Sequence, residues 1–395
     1  MNILFLSRWF PYPASNGSKL RIYNLLRGLA QDHTITLISF ADQPDIDVNA
    51  PELQKICKEV KTVPWKPFNP DSRQAGLGFF STTPRFVVDT FSPEMKQAIQ
   101  QTLSTGDYDL VIASQFDMAV YSEYFKCLPA IFEEIEVGVI YGRYEQANTM
   151  WRRLRNGLTW TKHRRYLASQ LKNFQAGTVV SQQEKLIISN KVYEGQLLEV
   201  IPNCVDVASY EAIKETAQPN KLIFTGAFTY YPNYEAMTWF VDNVYPLVQA
   251  KIPDISLTIT GNHNNLPLPA GKNITLTGFV DDVRPLIAQS WISIVPLHVG
   301  GGTRLKILEA MALKTPVIAT SKGAEGLDAE HNKHLFIVDS PEDFADSIVK
   351  LHHNTQLRQD LVSNAYKLIQ EKYDWTATIP KYLNLIEQVT LTNNH

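Results

Sequence analysis

The chain has 395 residues, 44% of them hydrophobic and 19% charged, with a formal net charge of −3. That is the composition of a soluble globular protein of two or three domains, and the charge argues against a nucleic-acid binder. Cys57, Cys127 and Cys204 show no C-x-x-C or paired spacing, so they read as reduced thiols of a cytoplasmic protein and not as a disulfide or zinc framework.

The opening MNILFLSRWFPYP lacks a basic start and a long apolar stretch, and reads as a buried strand and not a signal peptide. No uncharged apolar run approaches the roughly 18 residues of a membrane span. A strand at Ile3 to Leu6, a loop with Pro11, Pro13 and Gly17, and a helix carrying Leu20, Tyr23, Leu26 and Ala30 lead into a second strand, HTITLISF. This is a βαβ unit. The runs YDLVIAS, LPAIFEEI and AGTVVS alternate with helical patterns such as Pro93 to Leu103, which predicts an α/β domain on a parallel sheet.

The chain breaks within VIPNCVDVASYEAIKETAQPNKLIFTGAF, where a fresh strand starts at Leu222. A helix over Tyr234 to Val248, strands SLTIT and NITLTG, a helix over Val283 to Ala288 and strand WISIVPL follow. A helix after a triple glycine and strand PVIAT continue the alternation. YDWTATIPKYLNLIEQV reads as a helix pair or a kinked helix broken at Pro380. The expected organisation is one α/β domain over 1–204, a second over 205–374, and a terminal helix over 375–395 that crosses back to the first. In doubly wound sheets ligands bind at the carboxyl ends of strands, which is where the Gly17 loop and the triple glycine stand.

The stretch VPLHVGGGTRLKILEAMALKTPVIAT carries the most chemistry. Consecutive glycines let the backbone approach a ligand, and the helix N-terminus behind them favours an anion. Arg304 and Lys306 oppose the dipole of that first turn, a cost of a few tenths of a kcal/mol each that an anion such as diphosphate would remove. The same residues fit a flexible loop whose cations face water, with Lys306 loosely paired to Glu309. Glu309 lies four residues after Leu305 and three before Ala312, on their inward face. A carboxylate there needs partners. A sugar diol such as ribose offers two donors; a neighbouring backbone N–H is the alternative. No P-loop or G-x-G-x-x-G is present, and neither Asp45-Ile-Asp47, Asp107-Tyr-Asp109 nor any His cluster suits a metal. The expected site has no metal and no cofactor.

Residues 143–172 hold eight cations and one acid, Glu145, with Trp151, Leu154, Leu158 and Trp160 interleaved. The segment fits an anionic membrane surface, a grip on the pyrophosphate of a lipid-linked acceptor, or a solvated helix face with core-facing tryptophans. Lys19 and Arg21 likewise place positive charge at a helix start, facing an anion or water.

These stretches together resemble the retaining GT-B glycosyltransferases of family four. RLKILEAMALKTPVIATSKGAEGL is similar to their donor-site signature, in the form of a subgroup with GGGTRLKILEAMA. VIPNCVD resembles the IPNGVD that closes their first domain, with Cys204 in place of glycine. FTGAF, LTGFVDDVRPLIAQSWISIVPL and FLSRWFPYPASNGSKLRIYNLLRGLA resemble their Gly turn, base-holding region and acceptor-side loop. The match spans nearly the whole chain, with the motifs in order.

The resemblance implies two doubly wound Rossmann-like domains facing a deep cleft, and transfer of a sugar from a nucleotide-diphospho-sugar to a glycan, lipid-linked or small-molecule acceptor. Cell-surface polysaccharide or glycolipid assembly, in the cytoplasm or on the inner face of the membrane, is the implied setting. Glu309 would hold the ribose, the backbone of Phe279 and Val280 the base, and the N–H groups of Gly302, Thr303 and Leu305 the diphosphate. Gly226, Asn233 and Gly261 would complete the donor side, and Asn16, Gly17, Lys19 and Arg21 the acceptor side. Gly301 stands where the family usually has a second glutamate, and the Arg and Lys that commonly follow the Gly turn are missing from GAFTYYPNYEA. Arg304 and Lys306 therefore take the cation role at the leaving diphosphate. FEEIEVGVIYGR occupies the place where relatives carry a His or Asn near the anomeric carbon, so Glu133 or Glu136 would contact the sugar or acceptor, or form a solvated strand end. A non-hydrolysing nucleotide-sugar epimerase and a non-catalytic nucleotide-sugar-binding protein are the rival readings.

Overall fold

The computed structural model describes residues 1–43, 46–267, 271–300 and 304–391. The chain divides into two compact units, one of Met1–Asn203 with the chain from Thr378 onward, the other Cys204–Ala377.

The first unit is built on β1 (Asn2–Ser7), β2 (Thr34–Ala41), β3 (Glu59–Pro64), β4 (Leu110–Ser114), β5 (Ala130–Glu133), β6 (Ala176–Val179) and β7 (Leu197–Val200). They pair in the order β3-β2-β1-β4-β5-β6-β7, every pair parallel. Ile3 to Leu6 and Leu110 to Ala113 are continuous apolar runs with no exposed side chain, the pattern of strands covered on both faces. Chain order reverses between β1 and β4, so their carboxyl ends, Ser7 and Ser114, flank the switch point. The helix Gly17–Leu29 follows β1. A Cβ at its Gly28 would stand 2.3 Å from Cδ1 of Ile379, so the missing side chain lets the last helix seat there.

The second unit carries β8 (Lys221–Thr225), β9 (Ser256–Thr260), β10 (Ile274–Gly278), β11 (Ile292–Val295), β12 (Val317–Ala319) and β13 (Phe336–Ile337). Their order is β10-β9-β8-β11-β12-β13, again parallel throughout. Here the switch point lies between β8 and β11. Gly226 leaves the end of one strand and the segment from Pro296 to Gly300 leaves the end of the other.

Several elements differ from the sequence expectation. The helix expected over Tyr234 to Val248 starts at Tyr231 and runs to Lys251, with a wider π turn at Phe240–Val244. Pro246, just beyond, has no N–H to give the carbonyl four residues back, which loosens the ladder there. The terminal segment is one helix, Trp375–Leu391, with Pro380 inside it. Two of the four edge strands, β3 and β13, escape a sequence reading: β3 is only partly covered and β13 is two residues long.

Candidate functional site

In the second unit the helix Leu305–Ala312 follows β11, with Arg304 at its N-cap and no acid in its first turn. Arg304 is buried. The Nζ of Lys306 donates to Oδ1 of Asn233 at 3.0 Å and lies 4.1 Å from the centre of the Phe224 ring. Burial lowers its ammonium to about 7; the charge of Arg304 adds to the shift and that of Glu309 opposes it. Asn233 belongs to the first turn of the Tyr231–Trp239 helix and donates through Nδ2 to the Ala227 carbonyl at 2.9 Å. It thus ties the turn after β8 to Lys306.

Two glycines make this approach possible. Gly226 has φ +153°, and a Cβ on it would stand 2.6 Å from Nδ2 of Asn233 and 2.9 Å from Nζ of Lys306. Gly261, at φ +109°, would bring a Cβ to 2.7 Å from the backbone of Gly226 and of Ala227. The ends of β8 and β9 therefore close up beneath the lysine.

Glu309 stands one turn further along and is half-buried. Its Oε1 accepts a hydrogen bond from the hydroxyl of Tyr210 at 3.0 Å. Tyr210 is buried, on the short helix Val207–Glu211. The guanidinium of Arg284 lies 5.6 Å from the Tyr210 ring centre and clasps Asp282 through Nε and Nη2 at 2.8 and 2.9 Å. Burial pushes the Glu309 carboxyl up to about 7, against the opposing pull of Tyr210, Lys306 and Arg284. Among the described residues its hydrogen-bond partner is this tyrosine and not a backbone N–H. Sequence reasoning missed Tyr210, since its side chain meets Glu309 across 99 positions of chain.

Phe279 is exposed and Val280 half-buried, just past the end of β10. Gly300 has φ +105°, with Tyr230 and Arg304 crowding the place of a Cβ. Leu305 opens the helix. Gly301, Gly302 and Thr303 lie outside the described residues.

The first unit gathers a different set. Asn16 caps the Gly17–Leu29 helix, its Oδ1 accepting from the Lys19 N–H at 3.0 Å. Lys19 pairs with Asp42 at 2.9 Å, and both side chains are buried. Arg21 donates from Nε to Oε1 of Glu133 at 2.9 Å and from Nη1 to the Pro202 carbonyl at 3.0 Å and Oδ1 of Asn203 at 3.1 Å. Burial raises the Glu133 carboxyl, with Arg21 opposing the rise. Its neighbour Glu134, at φ +60°, accepts from Nε2 of Gln115 at 2.7 Å. Of the two expectations for this helix start, cations facing water is corrected: Lys19 and Arg21 are buried and meet Asp42 and Glu133 inside the unit. Nor is Glu133 a solvated strand end, as it is 1% exposed. Glu136 is exposed. Of the basic segment, Trp160 is buried and Trp151 exposed, both on the helix Met150–Leu171. No described helix is long and apolar enough to cross a membrane.

Residues 219–354, about a third of the chain, match the family model described as glycosyl transferases group 1. An uncharacterised 44.6 kDa protein of the cps region of Klebsiella pneumoniae is 30% identical over 164 residues, 39% of this chain and 42% of that protein. The chain spans less than half the length of the curated relatives it matches. Among solved structures, sucrose-phosphate synthase from Thermosynechococcus elongatus aligns with a TM-score of 0.72 at 16% identity, covering 99% of both chains. HepE of Anabaena, solved with UDP-glucose, aligns at 0.65 and 15% identity, over 98% of this chain and 100% of that one. The fold of two parallel-sheet α/β units is that of the GT-B glycosyltransferases.

Proposed function

We propose that this chain is a retaining, metal-independent group 1 glycosyltransferase that moves a sugar from a nucleotide-diphospho-sugar to an acceptor hydroxyl. The observation that carries the reading is the second unit's switch point, where Lys306 and Arg304 stand at a helix start one turn from Glu309, above the bare Gly226. A diphosphate is the anion that a helix start carrying two cations would attract, and a ribose supplies hydroxyls to a carboxylate that has a single tyrosine partner among the described residues. The match of residues 219–354 and the likeness to a protein solved with UDP-glucose support a nucleotide-sugar donor.

In the proposed reaction the bond from the anomeric carbon to the diphosphate oxygen breaks. The acceptor oxygen forms its bond on the same face, and the acceptor proton passes to the departing phosphate. Negative charge grows on the diphosphate in the transition state, and fixed cations aimed at growing charge lower the barrier. Arg304 and Lys306 fill that role. The proposed setting is assembly of cell-surface polysaccharide or glycolipid, with the basic 143–172 segment at an anionic membrane surface.

The test is a thermal-shift panel of nucleotide-sugars followed by product analysis with the best binder. Ligand at 100 times its dissociation constant raises stability by about 2.7 kcal/mol. Transfer to an acceptor with the anomeric configuration kept is the expected result. Conversion of the sugar without any acceptor makes the protein an epimerase, and binding without turnover makes it a binding protein.

A further inference from the structure

The first half of the helix Met150–Leu171 presents an exposed apolar face. Met150, Trp151, Leu154 and Leu158 are 78%, 82%, 55% and 74% exposed. Met150, Leu154, Leu158 and Lys162 follow one another at four-residue spacing and so form a single stripe. The stripe leads to a second apolar element. Lys162 donates from Nζ to the Gly78 carbonyl at 2.5 Å, and beside Gly78 stand Leu77, Phe79 and Phe80, 61%, 66% and 95% exposed. The guanidinium of Arg85 lies 3.8 Å from the Phe79 ring centre and holds its own backbone contacts to Ala75 and Pro70. The two clusters are therefore joined side by side by the Lys162 bridge.

Large apolar side chains gathered in this way mark an interaction surface. The charge around them selects the partner. From Gln146 to Gln183 there is no acid, while Arg152, Arg153 and Arg155 are exposed on the same helix. A second copy of the chain apposed across this face would set arginine against arginine. An anionic lipid surface instead accepts both the cations and the aromatic rings.

We propose that the first unit docks onto anionic lipid bilayers through a composite surface, with Phe79–Phe80 and the Met150–Leu158 stripe entering the interface and Arg152, Arg153 and Arg155 meeting the headgroups. The inference builds on the peripheral-membrane reading of residues 143–172 and adds the Leu77–Phe80 loop as an inserting element.

Co-sedimentation of the full chain with vesicles tests it, using phosphatidylcholine alone and phosphatidylcholine mixed with phosphatidylglycerol. Strong binding to the mixed vesicles and weak binding to the neutral ones is expected. Phe79→Ser with Phe80→Ser should lower partitioning on the order of tenfold at any salt concentration. Replacing Arg152, Arg153 and Arg155 by Ser should lower it about fivefold per arginine at low salt, with the difference shrinking as salt rises. These positions are exposed, so unchanged melting of the variants is a check on folding. If only the arginine variant loses binding, the loop is not an inserting element and the composite surface is wrong. If neither vesicle binds, or light scattering shows a wild-type dimer that the phenylalanine variant breaks, membrane docking is overturned altogether. Nucleoside diphosphate binding measured without lipid is expected to be unchanged in both variants. A failure of the glycosyltransferase reading would appear there, independently of docking.

Discussion

Glu309 and Lys306 are two ionisable groups that burial pushes toward their neutral forms, each to about 7. For Glu309 the folded value lies above the unfolded one, so its contribution to stability is full below about pH 4.5 and is lost as pH rises through 7. Glu309→Gln removes that loss. The variant should melt no earlier than the parent at pH 7.5, and any advantage should narrow toward pH 5 in a melting series. It should nonetheless bind nucleoside and nucleoside diphosphate more weakly, by roughly 1.5–3 kcal/mol, the worth of a hydrogen bond to a charged group. Early melting with normal binding by calorimetry would make Glu309 a structural residue held by Tyr210. In the first unit the corresponding test is Arg21→Ala, which strands Glu133 in a buried site. A loss of about 3–5 kcal/mol in chemical denaturation is expected, as for other buried pairs deprived of one partner. A loss below 1 kcal/mol would mean that the pair is not a stability element.

At the scale of elements, the proposed donor side depends on how closely the ends of β8 and β9 approach the Leu305–Ala312 helix. Gly226→Ala puts a methyl group against both Asn233 and Lys306. Asn233 is anchored to the Ala227 carbonyl, so the lysine, the more flexible of the two, should move. The backbone strain at this φ adds about 1–3 kcal/mol of destabilisation. Diphosphate affinity should fall while nucleoside affinity changes little, because Glu309 lies a turn away. Equal losses for uridine and UDP, or for guanosine and GDP, would show that the whole turn had shifted.

For the whole molecule, Arg304 and Lys306 meet the charge of the leaving diphosphate in the proposed reaction. Turnover should therefore survive EDTA, whereas Lys306→Ala should lower turnover more than ground-state affinity for the diphosphate, since the charge grows only as the bond breaks. Activity abolished by chelation and restored by Mn²⁺ would move that role from the side chains to an ion.

The amino-acid order alone carried the broad plan, because alternation of apolar runs and helical spacing is a local property. β1, β2, β4, β8, β9 and β11 all lie where their apolar runs predict strands. The same local chemistry located the helix after the glycines and the inward face of Glu309. Contacts between distant segments were decided by tertiary packing. Tyr210 meets Glu309, Asp42 meets Lys19 and Glu133 meets Arg21 across loops whose closure no spacing rule encodes. The exposed pair Phe79–Phe80 is similar: as letters the residues look like core, yet the fold leaves them exposed, next to the Gly78 carbonyl that Lys162 of the arginine-bearing helix reaches. A side chain's type limits the partners it can take, but the fold decides which of them comes within reach.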